Sequence, residues 1–174
     1  MDPEVAPGTE PTPSVAELAA RLAALTARVT ELEDELAVRR LIASYGPTVD
    51  SGDAGAAGAL WTQDAVYDMD VGVLNGSAGI SKMVLGTTHQ EIIGGGSAHN
   101  IGPALVEVEG GRATAVTYSQ IFRGDGDGGF YVWRIAANRW DLVRNEAGWR
   151  IAGRLTRLLD GREEAREILG GAVR

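Results

Sequence analysis

Residues 101–122 read IGPALVEVEGGRATAVTYSQIF, and this stretch decides the fold class of the protein. Two runs rich in strand-forming residues flank Glu109-Gly110-Gly111, and a Gly-Gly pair between two such runs is typical of a β-hairpin. The pattern therefore predicts one strand over Ile101–Val108 and a second, antiparallel strand over Arg112–Phe122.

Beyond this hairpin the chain is predicted to continue as a meander of long antiparallel strands. An acidic, glycine-rich turn at residues 124–129 leads into Phe130–Arg144, which is long for a strand, so we expect a bulge near Ala136-Ala137. Residues 145–148 then turn into a strand over Trp149–Leu159. The turn at 124–129 resembles half a calcium loop, but it lacks the glutamate at the twelfth position of an EF-hand. A solvated hairpin turn is therefore expected.

Helical signals precede the meander. Ser14 and Glu17 form a capping box that opens a long helix, and Gly46-Pro47 is expected to end it. Four further elements are expected: a short helix from Ser51-Gly52-Asp53 to about Leu60, a strand over Trp61–Asp70, a helix over Ala78–Leu85 and a terminal helix over Arg162–Leu169. Helices first and strands after them indicate an α+β domain.

The first helix carries apolar residues at alternating spacings of three and four, the a/d seam of a coiled coil over three heptads. Its members are Val15, Leu18, Leu22, Leu25, Val29, Leu32 and Leu36. The apolar face then shifts to Val38, Leu41, Ile42 and Tyr45, as expected where a helix docks on a different surface. Two interpretations stay open: an oligomerising coiled coil, which predicts a homo-oligomer (dimer or trimer), or a helix lying along its own domain.

The predicted organisation has three parts. Residues 1–13 hold four of the six prolines and are expected to form a disordered tail. Residues 14–36 form the amphipathic helix, and residues 37–170 form the α+β domain.

Composition excludes several classes of function. The chain has no cysteine, so disulfides and thiolate chemistry are excluded, and its net charge of −8 disfavours nucleic acid as a partner. No apolar run is long enough for a membrane helix, and the acidic start is unlike a signal peptide, so a cytoplasmic protein is expected. With two histidines, one lysine (Lys82) and no phosphate-loop spacing around Gly94–Gly96, we expect neither a metal nor a cofactor.

Several local phrases, in this order, resemble the SnoaL-like branch of the nuclear transport factor 2-like superfamily over about Leu36 to Leu169. They are VRRLIASY at 38–45, VDSGD at 49–53, LWTQDA at 60–65, AHNI at 98–101, ATA at 113–115 and GWRI at 148–151 followed by Asp160-Gly161. The resemblance implies a cone-shaped, curved antiparallel sheet wrapped by helices, with an apolar pocket at its wide end.

The resemblance also implies candidate site residues. In dehydratases and a dehydrochlorinase of this superfamily, an aspartate after the first helix orients a histidine that takes a proton from carbon. Asp50 and His99 occupy those places, and Arg154 fits an arginine of the dehydrochlorinase. Tyr45 and Tyr67 are expected as hydroxyl donors, since similar tyrosines polarise a substrate carbonyl in related dehydratases.

Two further positions bear on the site: Gln120 argues against the fuller acid–base sets of some relatives, and His89 is expected outside the site. Gln120 stands where a bile-acid dehydratase carries an aspartate and the scytalone dehydratase a second histidine, and an amide exchanges no protons at neutral pH. His89 lies among polar residues in a predicted loop, so a solvated surface position is expected.

The chemistry of the pair is independent of the resemblance. An imidazole titrates near neutral pH, so in a pocket it can act as a base and then as an acid, and a carboxylate on its other nitrogen fixes the tautomer. The structural alternatives are that His99 is a hydrogen-bonded core residue and that Asp50 caps a helix. The predicted function is a cofactor-independent lyase or isomerase acting on a small hydrophobic molecule.

Two alternatives remain. An epoxide hydrolase would need a second acid, for which Asp68 and Asp141 are the candidates. A binding or oligomerisation module would need no chemistry.

Overall fold

The computed structural model describes residues 13–171, so the tail predicted for residues 1–13 lies outside it except for Pro13. The chain divides between Glu33 and Asp34 into two compact units. Helix α1, Val15–Asp50, supplies nearly all of the described part of the first unit and continues into the second. The capping box is confirmed: the Glu17 amide donates to Ser14 Oγ at 3.2 Å, and the Ser14 amide donates to Glu17 Oε2 at 2.7 Å.

Helix α1 does not end at Gly46-Pro47, so that prediction was wrong. A proline inside a helix removes one backbone hydrogen bond and its ring clashes with the preceding residues. Here the preceding residue is Gly46, which has no side chain to clash, and only one further turn follows before Asp50. The hydroxyl of Thr48 also donates to the carbonyl of Ser44 at 3.0 Å, close to the interrupted ladder.

The second unit contains four more helices and, within residues 13–171, seven strands in one sheet. The helices are α2 Ala54–Ala59, α3 Gly76–Leu85, α4 Thr87–Gly94 and α5 Glu163–Gly171. The strands are β1 Trp61–Met69, β2 Gly72–Asn75, β3 Ser97–Ile101, β4 Leu105–Glu109, β5 Arg112–Gly124, β6 Phe130–Asn145 and β7 Gly148–Leu158. The α+β class predicted from the sequence is confirmed.

The strand order is β2-β1-β7-β6-β5-β3, with β4 also paired to β5. The predicted hairpin is present as β4 and β5, in which Glu109 faces Arg112 across the turn. All pairs are antiparallel except β1 with β7, which is parallel. The sequence did not predict β2, α4 or the separation of β3 from β4.

The expected bulge near Ala136-Ala137 is absent, because β6 keeps its register with both neighbours there. The register shifts instead at Trp133 on β6 and at Ala152 on β7. The shift on β7 has a structural consequence. It keeps Trp149 and Ile151 on the same buried side as Arg154 and Thr156, so a charged side chain enters the interior.

The core lies between helices α1 to α3 and one face of the curved sheet. Its largest fully buried side chains are Trp140, Ile42, Ile80, Leu142 and Ile151. On the opposite face of the sheet, residues of β4, β5, β6, β7 and α5 line a cavity of about 740 Å³, whose lining includes charges of both signs. None of the helices between residues 13 and 171 combines the length and apolar character that a membrane span needs.

Candidate active site

Asp50 and His99 form a hydrogen-bonded pair at the inner end of α1. Oδ1 of Asp50 lies 2.6 Å from Nδ1 of His99, and Oδ2 accepts from the backbone amide of His99 at 2.6 Å. Ser97 Oγ donates to the same carboxylate at 3.3 Å. Because an ionised carboxylate only accepts hydrogen bonds, Nδ1 carries the proton in the neutral imidazole. Nε2 is then the basic nitrogen of His99.

The sequence builds this pair from two elements that approach very closely. Asp50 is the last residue of α1, and His99 is the middle residue of β3. A Cβ atom added to Gly46 would overlap the backbone carbonyl oxygen of His99, so a glycine is required where α1 crosses β3. It is Asp53 that caps α2, accepting from the amide of Ala56 at 2.8 Å, and this leaves Asp50 free to bind the histidine.

The environment of Asp50 favours its ionised form. Burial alone would raise the pKa of this carboxyl, but the side-chain and backbone hydrogen bonds from His99, with that from Ser97, lower the pKa below its ordinary value. The carboxylate is therefore charged at neutral pH and can stabilise an imidazolium on His99.

The histidine of this pair lines a cavity of about 700 Å³ in the second unit. Apolar side chains form much of its wall: Met69, Val71, Leu74, Met83, Ile92, Ile101, Ile121 and Trp133. The polar residues of the lining include all the other predicted site residues, namely Tyr45, Tyr67 and Arg154. A small, largely apolar molecule fits a cavity of this volume and lining.

Arg154 enters the cavity wall from β7 and is only 4% exposed. Its guanidinium lies over three aromatic rings, with Cζ at 4.1 Å from the centroid of Trp140, 4.5 Å from Tyr45 and 4.8 Å from Tyr67. Nε and Nη2 donate to Oδ1 of Asn138 at 3.1 and 2.7 Å. Within residues 13–171, Arg154 forms no salt bridge, and its Nη1 has no hydrogen-bond partner.

Tyr45 and Tyr67 pack edge to face beside this guanidinium, with ring centroids 6.5 Å apart. Burial raises the pKa of the Tyr45 phenol, and Tyr67 adds to the effect while the cation of Arg154 opposes it. Tyr45 is therefore a neutral hydroxyl at any physiological pH. Such a group can donate a hydrogen bond but cannot serve as a base.

His89 is not a solvated surface residue, so that prediction was wrong. It lies on α4, is 6% exposed and lines the same cavity, with its ring centroid 5.7 Å from that of His99. Nε2 of His89 lies 2.8 Å from the carbonyl oxygen of Val49, and since a carbonyl only accepts, Nε2 carries the proton. The bond satisfies one of the last carbonyls of α1, which lack partners within the helix.

Acidic residues are absent from the cavity lining within the described part of the chain. Asp68 pairs with Arg157 at 2.8 Å, and Asp141 pairs with Arg139 at 3.2 Å on an exposed part of the sheet. Neither of these candidate acids reaches the cavity. Gln120 does line it, and its Oε1 accepts from Asn100 at 2.8 Å.

Two residues of the site were missed at the sequence level. Asn138 is fully buried on β6 and connects Arg154, Thr156 and Ser119 by hydrogen bonds. The sequence contained a signal for the burial of Asn138. This residue alternates with Ala136 and Trp140 along a strand, so it lies on the same buried face as they do. His89 had a weaker signal, its spacing of three from Ile92, which indicates a helix face rather than a loop.

The described residues contain no group of three or more histidine and acidic side chains placed to hold a metal ion. The polar side chains around the cavity include a paired imidazole, a second imidazole, two phenols, an amide, hydroxyls and cationic groups. Imidazoles and phenols are groups that can take part in acid–base chemistry.

Residues 30–155 match the SnoaL-like domain family. The chain belongs to this family. No curated protein matches it. Among solved structures it is similar to an NTF2-like protein with a cystatin-like fold from Novosphingobium aromaticivorans. The two share 44% identity over 85% of this chain and 96% of the other, with a TM-score of 0.82.

Two further structures show how varied the names within this fold are. A protein described as a candidate aromatic ring hydroxylase, also from N. aromaticivorans, is 25% identical over 74% of this chain and 90% of its own, with a TM-score of 0.58. A protein described as a candidate dehydratase of the NTF2-like family, from Streptomyces avermitilis, is 14% identical over 75% of this chain and 99% of its own, with a TM-score of 0.61. The resemblance predicted from local phrases is confirmed at the level of family and fold.

Proposed function

We propose that the protein is a cofactor-independent lyase or isomerase that removes a proton from carbon in a small hydrophobic substrate. The observation that carries the proposal is the contact of 2.6 Å between Asp50 and His99, made by a histidine that lines an apolar cavity. Fold alone would not support it, because one fold hosts many reactions, and the names of the structural neighbours differ in chemistry.

The first step is proton transfer from substrate carbon to Nε2 of His99. The imidazolium that forms is stabilised by the ionised carboxylate of Asp50, which also holds the ring in the reactive tautomer. A positioned base of this kind contributes on the order of 10²–10⁴-fold to the rate. The electron pair of the broken C–H bond forms a carbon–carbon double bond as the π pair of the neighbouring carbonyl moves onto its oxygen, which gives an enolate.

The second step distinguishes elimination from isomerisation. In elimination, the enolate re-forms the carbonyl, the released π pair forms the double bond to the β-carbon, and the leaving group departs from that carbon with the electron pair of its broken bond. Nε2 of His99 can return the proton to this leaving group. In isomerisation, Nε2 returns the proton to a different carbon of the same molecule. The hydroxyl of Tyr45 or Tyr67 and the cation of Arg154 can both stabilise negative charge that develops on substrate oxygen.

Hydrogen–deuterium exchange tests the proposal without knowledge of the natural substrate. A panel of β-hydroxy and β,γ-unsaturated ketones is incubated with the full chain in deuterated water, and NMR follows deuterium at carbon and the formation of alkene or shifted product. We expect at least one compound to exchange with the wild-type protein and none with His99→Gln. Exchange that is equally fast with both proteins would contradict the proposal.

A non-catalytic binding module is the second candidate. It is favoured by Gln120, which lines the cavity with an amide that exchanges no protons at neutral pH. The same experiment separates the two candidates. Panel compounds that bind in the cavity but show neither exchange nor product with the wild-type protein would favour binding alone.

A further inference from the structure

The buried guanidinium of Arg154 has no counter-ion among residues 13–171, which is unusual for a charge so far from water. Moving a charge out of water is costly unless the charge is paired or fully hydrogen-bonded. The rings of Tyr45, Tyr67 and Trp140 and the amide oxygen of Asn138 offset part of this cost. One nitrogen, Nη1, remains without a partner among the described residues.

The geometry of the guanidinium shows which of its N–H donors have no acceptor in the protein. Nε and Nη2 form one edge of the planar group, and both donate to Asn138. Nη1 lies in the same plane but points away from that edge, and it brings two further N–H donors. Arg154 lines the cavity and Nη1 is buried in the cavity wall, so a bound molecule meets these donors once it displaces the side chains that cover Nη1.

The charge of the whole lining agrees with this reading of Arg154. Lys82, Arg134 and Arg154 line the cavity, whereas within residues 13–171 no aspartate or glutamate does. The two carboxylates that contact lining residues are already engaged, Asp50 by His99 and Asp70 by Arg134. A basic cavity in a chain of net charge −8 is a local feature and does not follow from composition.

We propose that the cavity takes an organic anion, an apolar body that carries one carboxylate, and that Nη1 of Arg154 binds this carboxylate. The proposal rests on the proposed function only in sharing its cavity, because it names the class of substrate on which His99 would act. Asn138 is the positioning residue: its amide oxygen fixes the guanidinium without neutralising it. A carboxylate at that position would form an internal salt bridge instead.

Binding, measured apart from turnover, tests this inference. Isothermal titration calorimetry on the full chain at neutral pH compares three probes with the same apolar body: naphthoate, naphthamide and naphthylmethylammonium. A charge-assisted hydrogen bond in a desolvated site is about twice as strong as a neutral one. We therefore expect naphthoate to bind about tenfold or more tightly than naphthamide, and the ammonium to bind most weakly.

Three variants locate the selectivity. Arg154→Met should bring the affinity for naphthoate to within about twofold of that for naphthamide. Arg157→Met is the matched control, because Arg157 lies on the same strand but lines the opposite face of the sheet and pairs with Asp68; it should leave the selectivity unchanged. Asn138→Asp keeps the arginine and supplies a counter-ion, so it should also abolish the preference. If circular dichroism shows that Arg154→Met does not fold, Asn138→Asp alone tests whether the guanidinium causes the selectivity.

Equal affinity for the carboxylate and the amide, no binding of naphthoate at millimolar concentration, or selectivity that survives both Arg154→Met and Asn138→Asp would overturn the anion site. His99→Gln separates this outcome from the proposed function. The variant should keep the preference for naphthoate while it loses exchange at carbon. A His99→Gln protein with full exchange activity and intact selectivity would leave the anion site standing and remove the lyase or isomerase.

Discussion

The two halves of helix α1 share an apolar periodicity but differ in what covers it. In residues 38–49 the apolar face is buried, with Val38, Ile42 and Val49 at 0–1% exposure. In residues 15–36 the seven seam positions are 46–85% exposed, from Leu36 to Val15. Periodicity thus predicts that a helix has an apolar face, but it does not say which surface packs against that face.

The difference also separates two roles within one element. The buried half ends at Asp50 and holds it against His99, so the shape of the site depends on this half. The exposed half carries no residue that lines the cavity. Substitutions in the two halves should therefore act on different properties, catalysis and fold in one and assembly in the other.

The largest effect is expected for the pair itself. His99→Gln should reduce turnover by about 10³-fold or more, and Asp50→Asn by about 10²–10⁴-fold, because the amide cannot stabilise the imidazolium. Asp53→Asn is the matched control: Asp53 caps α2 outside the cavity, and asparagine caps helices equally well, so turnover should be unchanged. Steady-state kinetics on a compound that exchanges deuterium provides the measurement.

The double variant sharpens this prediction. Members of one catalytic unit are not additive, so the protein with both Asp50→Asn and His99→Gln should be about as slow as the slower single variant. Losses that multiply would show that the two residues act independently, and the dyad would then be the wrong description.

The next effect concerns the exposed half. We propose that the same segment of a second copy covers the seam, since an exposed a/d stripe of leucine and valine over three heptads is the pattern of a coiled coil. Leu22→Glu combined with Leu25→Glu should convert the assembly to a monomer in sedimentation experiments, with activity per chain retained. Arg28→Glu, which lies outside the seam, is the control and should leave the assembly intact. A wild-type protein that sediments as a monomer at micromolar concentration would contradict the proposal.

The fold was more predictable than the site for a physical reason. The hairpin and the long strands follow from local turn and strand signals, and Asp50, His99 and Arg154 follow from the family resemblance. The residues that were missed, His89 and Asn138, act through contacts between different elements, 40 residues apart for His89 with Val49 and 16 residues apart for Asn138 with Arg154. Such contacts have only weak local signals.

Pro47 shows that a strong local signal can also give a wrong prediction. The local rule that proline ends a helix is sound, but Gly46 precedes it and the helix needs only one more turn. Gly46 is also the point of contact with β3, so the exception to the rule occurs where α1 and the site meet.

A moderate effect is expected for Gly46→Ala, which tests the buried half directly. The added methyl group would overlap the carbonyl of His99, and overpacking of this kind costs about 1–3 kcal/mol. Turnover should fall as well, because α1 must shift away from β3. Gly94→Ala is the control, since Gly94 lies at the end of α4 with open space around its Cα. Urea unfolding of both variants measures the difference in stability. Equal stabilities would show that α1 and β3 can move apart at Gly46 without loss of stability.

The smallest effect is a dependence of stability on pH that comes from Asp50. The pKa of its carboxyl is lower in the folded protein than its ordinary value of about 4, so the folded state binds fewer protons there than the unfolded state. The contribution to stability is therefore fully present above about pH 4 and is lost as the pH falls through the lower pKa of the folded protein.

The variant Asp50→Asn tests this dependence because it removes the titrating group. The difference in unfolding free energy between wild type and this variant should shrink in acid, by about 1 kcal/mol for a carboxylate hydrogen-bonded in this way. Denaturant unfolding between neutral pH and about pH 3 measures it, with Asp53→Asn as the reference for a change of Asp to Asn outside the cavity. A difference that stays constant over this range would mean that the His99 contact does not favour the charged carboxylate. The assignment of the neutral His99 tautomer would then lose its physical basis.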